Sequence, residues 1–170
     1  FGQILNIFYD KRKKKVYSWG AKIPSKDTIV AGNLINGSET KADAKNLSIH
    51  YTNDFQDGKC HLKGWQEGEP GRIEYDFSLT RLSKPCVVSI PFADPNVRHR
   101  PLYSQKDFFK CSGWLKFNGE TFHTTENSTA IVDDHKGYYP RKAHYDWVTT
   151  MGINETDGEK KWLAFNLTRN

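Results

Sequence analysis

The chain has 170 residues, enough for one domain whose core needs neither disulfides nor a metal to hold it together. Its mean hydropathy of -0.75 is low for a globular protein, but an aromatic content of 14% supplies large buried areas one ring at a time and argues against a disordered chain. The net charge of +5 favours anionic partners yet falls short of a dedicated nucleic-acid tail, and no apolar run approaches the roughly 20 residues that a membrane-crossing helix requires.

The first elements are "ILNIFYD" and "VYSW", two runs of strand composition on either side of Lys11-Arg12-Lys13-Lys14-Lys15. A solvated hairpin turn is the simplest reading of that basic run, with a polyphosphate or membrane-surface patch as the alternative. Next, "SETKADAKN" is the best helix candidate in the chain, although it is polar, lacks an apolar stripe and allows one or two turns at most. Strands follow at 47–52 and 59–66, punctuated by Asp57-Gly58 and by Gly68-Glu69-Pro70-Gly71. In "RIEYDFSLTRL" the residues Ile73, Tyr75, Phe77 and Leu79 alternate with Glu74, Asp76, Ser78 and Thr80, the pattern of a half-buried antiparallel strand.

A strand at 86–91 is followed by "SQKDFF", read as a second short helical turn. The segment "CSGWLKFNGETFHTT" carries Asn118-Gly119 between two strand-like runs, and both central residues of a type I′ hairpin need positive φ. The last strands fall at 129–133, 145–151 and 161–168, with Asp157-Gly158 between the final two. Gly64-Trp65 and Gly113-Trp114 each precede a turn and a returning strand, which makes two similar hairpins of one meander. Short strands at close spacing predict a single all-β domain over 1–170, predominantly antiparallel, either a lipocalin-like barrel or a curved sandwich.

Enzymatic signatures are sparse. The sequence holds no GxSxG elbow, no phosphate-cradling GxxxxGK[ST] and no CxxC pair, and His99 and His123 stand alone. His50 and His61 sit in strand contexts where a satisfied structural role is expected, so neither a metal nor another cofactor is anticipated. Basic residues interleave with aromatic ones but match no RNA-binding signature, which argues against a nucleic-acid partner. Three cysteines, an odd count, favour the cytoplasm, whereas sequons such as Asn36-Gly37-Ser38 and Asn127-Ser128-Thr129 would suit a secreted glycoprotein; the balance leans to the cytoplasm.

The strand "GWLKFNGETFH", the stretch "DDHKGYYPRKAHYDW" and the closing "WLAFNLTRN", in that order, resemble the family known as domain of unknown function 2804. The opening "FYDKRKKKVYSW" fits the same pattern, and the most specific part is Asp134, Gly137, Tyr139, Pro140 and Tyr145-Asp146-Trp147, followed by Gly152 and "FNL". Members of that family usually continue past the point corresponding to Asn170. The resemblance therefore implies, as does Phe1 in place of an initiator Met, a piece of a longer chain whose remainder would be a partner. More distantly the arrangement is similar to lipocalin-like proteins of the carotenoid hydratase and tocopherol cyclase kind, which act on long apolar molecules; that is a fold-level likeness and licenses no activity.

The stretch 133–147 is the candidate site. Gly137 and Pro140 shape a turn between a strand ending near Asp133 and one starting near Tyr145. The candidate ligand-binding residues are Asp134, Tyr138, Tyr139, Arg141, His144, Tyr145, Asp146 and Trp147; the competing reading is an aromatic plug at the rim. Asp133 and Asp134 are a possible acid and base, although neighbours on a strand face opposite ways, and His144 and Asp146 alternate so as to share a face. The expected function is binding of a small apolar or amphipathic molecule in an aromatic-lined β-barrel cavity, with no catalytic residue assigned. Acid–base chemistry on such a molecule and anionic-surface binding are the alternatives.

Overall fold

The computed structural model describes residues 2–33, 37–90, 102–137 and 146–169. In chain order its strands are β1 (Gly2–Asp10), β2 (Lys15–Ile23), β3 (Thr28–Asn33), β4 (Gly37–Ala44), β5 (Leu47–Asp54), β6 (Lys59–Gly68) and β7 (Gly71–Arg81). They continue as β8 (Cys86–Ile90), β9 (Leu102–Phe117), β10 (Glu120–His123), β11 (Thr129–Gly137), β12 (Asp146–Thr156) and β13 (Glu159–Arg169), with one 3-10 turn at Ser25–Asp27. The protein is all-β, and the strand pairs whose register is set out below are antiparallel. Two compact units divide the chain: Phe1–Thr80 with Cys111–Ser128, and Arg81–Lys110 with Thr129–Asn170.

In the first unit the sheet runs β10-β9-β7-β6-β5-β4-β3, and β1 and β2 form a separate hairpin. Alternation decides which face of that hairpin is buried. Ile4, Asn6 and Phe8 on β1 face inward with Tyr17, Trp19, Ala21 and Ile23 on β2, while the intervening residues are exposed. One core cluster joins Trp19 to Ile73, Tyr75 and Phe117; a second joins Ile23 to Ala42 and Leu47. Trp19 is 2% exposed, meets Phe117 edge-on at 5.3 Å and donates its indole N–H to the Gly71 carbonyl at 2.8 Å, so its polar handle is satisfied within the core. A polar thread accompanies it, since Asn6 donates to Gln66 Oε1 at 2.7 Å and accepts from the Tyr75 hydroxyl at 3.2 Å. Satisfied in this way, the buried amide of Gln66 adds direction to an apolar contact at little cost.

The basic run forms the β1–β2 turn, as its flanking strands implied. Asp10 is the residue that closes it. Its buried carboxylate accepts from the backbone N–H of Arg12 at 2.9 Å and of Lys13 at 3.3 Å, and from the Arg12 guanidinium, which also reaches Glu120 at 3.0 Å. Burial opposes the charge on Asp10, but the bonds from the Arg12 side chain and the two backbone N–H groups outweigh it and hold the carboxyl below its ordinary pKa.

In the second unit β8 and β11 pair with the two edges of β9, opposing Lys106 to Cys86 on one side and to Asp133 on the other. The hairpin β12–β13 turns one face to this ribbon: Trp162 meets Phe108 edge-on at 6.2 Å, and the Thr129 hydroxyl donates to the Met151 sulfur.

Three expectations need correction. Residues 38–46 are not helical; 37–44 form β4, whose Ala42 packs on Ile23 and Leu47 while β3 and β5 pair with its two edges. Sheet hydrogen bonds on both sides outweigh the weak helical preference of a polar segment. "SQKDFF" is likewise extended, lying within β9. Both faces of that strand carry polar groups paired within the protein, so its alternation of polarity is hidden. Nor is there a closed barrel: among the described residues the sheet path ends at β10 and β3 without pairing between them. Period-two patterning cannot separate closure from layering, and here the β1–β2 hairpin covers the core.

Asn118 and Gly119 adopt φ of 50° and 79°, the tight turn read from the sequence. Gly113 is more constrained, because at φ 143° a Cβ would stand 1.9 Å from the Asp76 carbonyl oxygen of β7. Gly113→Ala is therefore expected to cost several kcal/mol by forcing strands apart, and Gly119→Ala only about 1 kcal/mol of backbone strain. Equal shifts in urea midpoint would contradict that order.

A pH dependence follows from Asp10. A depressed folded-state pKa gives stability that is present above the ordinary carboxylate range and is lost as pH falls through the folded value. Asp10→Asn should thus be less stable than the parent at neutral pH, and the two denaturation midpoints should converge in acid. A gap independent of pH would refute the assignment.

Candidate functional site

The N-terminal half of β9 and its partner β11 carry alternating polar side chains, and the pleat sorts them onto two faces. On one face lie Tyr103, Gln105 and Asp107 with Asp134 opposite Gln105; on the other lie Ser104 and Lys106 with His135 and Asp133 opposite them. Asp133 and Asp134 therefore face opposite ways, as neighbouring strand residues must.

The first face holds a relay of hydrogen bonds between residues two apart. Tyr103 donates its hydroxyl to Gln105 Oε1, and Gln105 donates its amide to Asp107 Oδ2 at 2.5 Å. Asp107, 1% exposed, receives Arg81 Nε on its other oxygen at 2.7 Å, and the guanidinium lies 5.9 Å from the Phe109 ring centre. Asp107 is thus neutralised and bonded, as a buried carboxylate must be. Asp134 is different: its Oδ2 atom is buried and, among the described residues, accepts no hydrogen bond. Burial, reinforced by the negative charges of Asp134 and Asp107, pushes the Tyr103 hydroxyl above its ordinary pKa and keeps it a donor.

The second face is internally satisfied. Lys106 Nζ reaches Asp133 Oδ1 at 2.7 Å, Ser104 Oγ at 2.8 Å and His135 Nε2 at 3.2 Å, and its side chain is 10% exposed. His135 Nε2 lies 2.5 Å from the same Asp133 oxygen. One imidazole nitrogen thus serves both Asp133 and Ser104, so the group lacks the separate base-to-orienter geometry of a nucleophilic triad. Above it Trp147 stands with its ring 5.7 Å from Lys106 Nζ and its N–H donated to Asn166.

Of the residues singled out from sequence, Asp134 and Trp147 fall on the two different faces of this ribbon, and Asp146 begins β12 as an exposed residue opposite Arg169. Tyr138, Tyr139, Arg141, His144 and Tyr145 lie outside the described residues. Sequence reasoning passed over Tyr103, Gln105, Asp107 and Arg81. It also passed over the Asp133–His135 pair, which has the same two-residue spacing as the His144–Asp146 pair it did weigh. Elsewhere His61 Nε2 is hydrogen-bonded to Asp76 at 2.7 Å, in keeping with a structural role, while His50 Nε2 lies 2.7 Å from Glu39 Oε1. Among the described residues no group of three or more His, Cys, Asp or Glu side chains is arranged to hold a metal ion, and no helix is long and apolar enough to cross a membrane.

The architecture and the site define an all-antiparallel β protein that carries a polar cluster on one strand pair. The family model for Domain of unknown function (DUF2804) matches residues 3–169, and the chain belongs to that family. No curated protein and no solved structure matches the chain.

Two substitutions separate structure from function on the Asp134 face. An unpartnered buried oxygen opposes stability, so Asp134→Leu should leave the denaturation midpoint unchanged or raise it. Arg81→Met strands the Asp107 charge and should cost roughly 3 kcal/mol. Strong destabilisation by Asp134→Leu in thermal or urea unfolding would show that the carboxylate already has a structural partner.

Proposed function

We propose that the second unit binds a small amphipathic molecule whose hydroxyl or ammonium end donates to Asp134. The observation that carries this reading is the buried Asp134 Oδ2 with no hydrogen-bond partner among the described residues. A carboxylate oxygen out of water without a donor costs about 1–3 kcal/mol or more, and a ligand donor recovers it. Charge sets the ligand class. Arg81 compensates Asp107 and leaves the Asp134 charge to favour a cation or a neutral donor over another carboxylate.

By register Val132 and Val87 share this face beside Asp107 and Gln105, which offers an apolar body a surface next to the polar end. The reading retains the lipocalin-like theme of an apolar molecule against a curved antiparallel sheet, but it does not need a closed barrel. Tyr138, Tyr139, Arg141, His144 and Tyr145 follow β11 in the chain and remain candidates for enclosing the ligand, whereas Trp147 stands over the opposite, Lys106 face.

An acid–base enzyme is the second reading, favoured by Tyr103. Burial and the charges of Asp134 and Asp107 hold the Tyr103 hydroxyl above its ordinary pKa, so this face offers a proton donor and a carboxylate acceptor, the pair of groups that hydration or isomerisation uses.

Calorimetric titration with dodecylamine, dodecanol and dodecanoate tests the proposal. The amine and the alcohol should bind, the carboxylate should bind at least ~10-fold more weakly, and Asp134→Asn should weaken the amine by roughly 10- to 100-fold, the equivalent of one lost bond to a charged group. Equal binding of all three probes, or an Asp134→Asn protein that binds as before, would overturn it. In the enzyme reading Tyr103→Phe would retain binding and lose turnover by about 100-fold or more.

A further inference from the structure

The charge of this protein is concentrated in one place. Of its 25 basic and 20 acidic residues, six basic ones (Lys11, Arg12, Lys13, Lys14, Lys15 and Lys22) and a single acid, Asp10, lie within the β1–β2 hairpin; that surplus of five equals the net charge of +5 for the whole chain. Asp10 is 4% exposed and spent on closing the turn, where Arg12 and Lys13 share it and Glu120. Lys11 and Lys14 are exposed and form no ion pair among the described residues, and Lys15 lies over the Tyr17 ring at 5.0 Å.

The outward face of the same hairpin is apolar. Leu5 is 60% exposed, Ile7 62%, Tyr9 51% and Val16 60%, and the register sets Tyr9 opposite Val16 beside the basic turn. The other outward positions are Gln3, Ser18, Gly20 and Lys22, so no carboxylate stands on that face. An exposed apolar stripe of this kind marks an interaction surface.

We propose that the β1–β2 hairpin docks the first unit onto an anionic lipid surface, the apolar stripe lying in the headgroup boundary and the lysines of the turn against acidic headgroups. Complementary charge selects this occupant. A bilayer interface accepts aliphatic side chains and rewards each nearby cation, whereas the phosphate backbone of a nucleic acid offers Leu5 and Ile7 nothing. A second copy of the hairpin would bring two like-charged turns together. This surface is independent of the Asp134 face, and its failure would leave that reading untouched.

Co-sedimentation with vesicles of phosphatidylcholine, with or without about 30 mol% phosphatidylserine, provides the test. The chain should partition onto the acidic vesicles, be released by high salt and ignore neutral ones. Lys11→Gln, Lys14→Gln and Lys15→Gln together should reduce partitioning on the order of 100-fold, at roughly fivefold per lysine. Leu5→Ser with Ile7→Ser should reduce it at least ~10-fold. All these positions are exposed, so unchanged circular dichroism is expected, and Asp134→Asn should bind vesicles like the parent. Four results would overturn the proposal: no partitioning, equal partitioning onto neutral vesicles, tighter binding to an oligonucleotide than to acidic vesicles, or a dimer abolished by the Leu5 and Ile7 substitutions.

Discussion

The pleat of a single strand governs the chemistry of this protein. Neighbouring side chains on a strand must leave opposite faces, so β9 deals Tyr103, Gln105, Asp107 and Phe109 to one layer and Ser104, Lys106 and Phe108 to the other. A shift of one residue would send every one of them to the wrong side. Burying polar groups on both sides demands partners on both. Arg81 and the relay through Gln105 supply them for Asp107, while Asp133 and Ser104 supply them for Lys106. Among the described residues Asp134 is left with a buried, unpartnered oxygen, which is why it carries the functional reading.

The first unit obeys the same rule with a different outcome. Its β1–β2 hairpin turns Phe8, Tyr17, Trp19 and Ile23 toward the sheet, so Leu5, Ile7, Tyr9 and Val16 are obliged to face away. Asp10 then folds the basic turn back on itself through backbone N–H groups, and the only acid of the hairpin is withdrawn from its surface. One alternation thus produces both a sealed core and a one-sided, positively charged apolar face.

Much of this was legible in the sequence. The alternation in "RIEYDFSLTRL", the Asn118-Gly119 turn and the basic hairpin turn are local features, each fixed by period, by positive φ or by flanking strands. What escaped depended on distant partners. Residues 37–44 carry no strong strand signal and become β4 because β3 and β5 pair with them. Residues 104–109 hide their alternation because Gln105 and Asp107 are as buried as Phe108 and Phe109, their polarity offset by groups elsewhere in the chain. The site was half legible for the same reason. Asp134 stood out beside Gly137, but its face is built from Tyr103, Gln105, Asp107 and Arg81, which no local motif connects to it.

The most direct measurement is side-chain NMR of the protein labelled at its Asp carboxyl and Tyr ring carbons, followed as dodecylamine is added. The account predicts that the Asp134 carboxyl and the Tyr103 ring move together and saturate at one ligand, while Asp107, locked to Arg81, moves little. Saturable binding with Asp134 and Tyr103 unmoved and the shifts located elsewhere would contradict it.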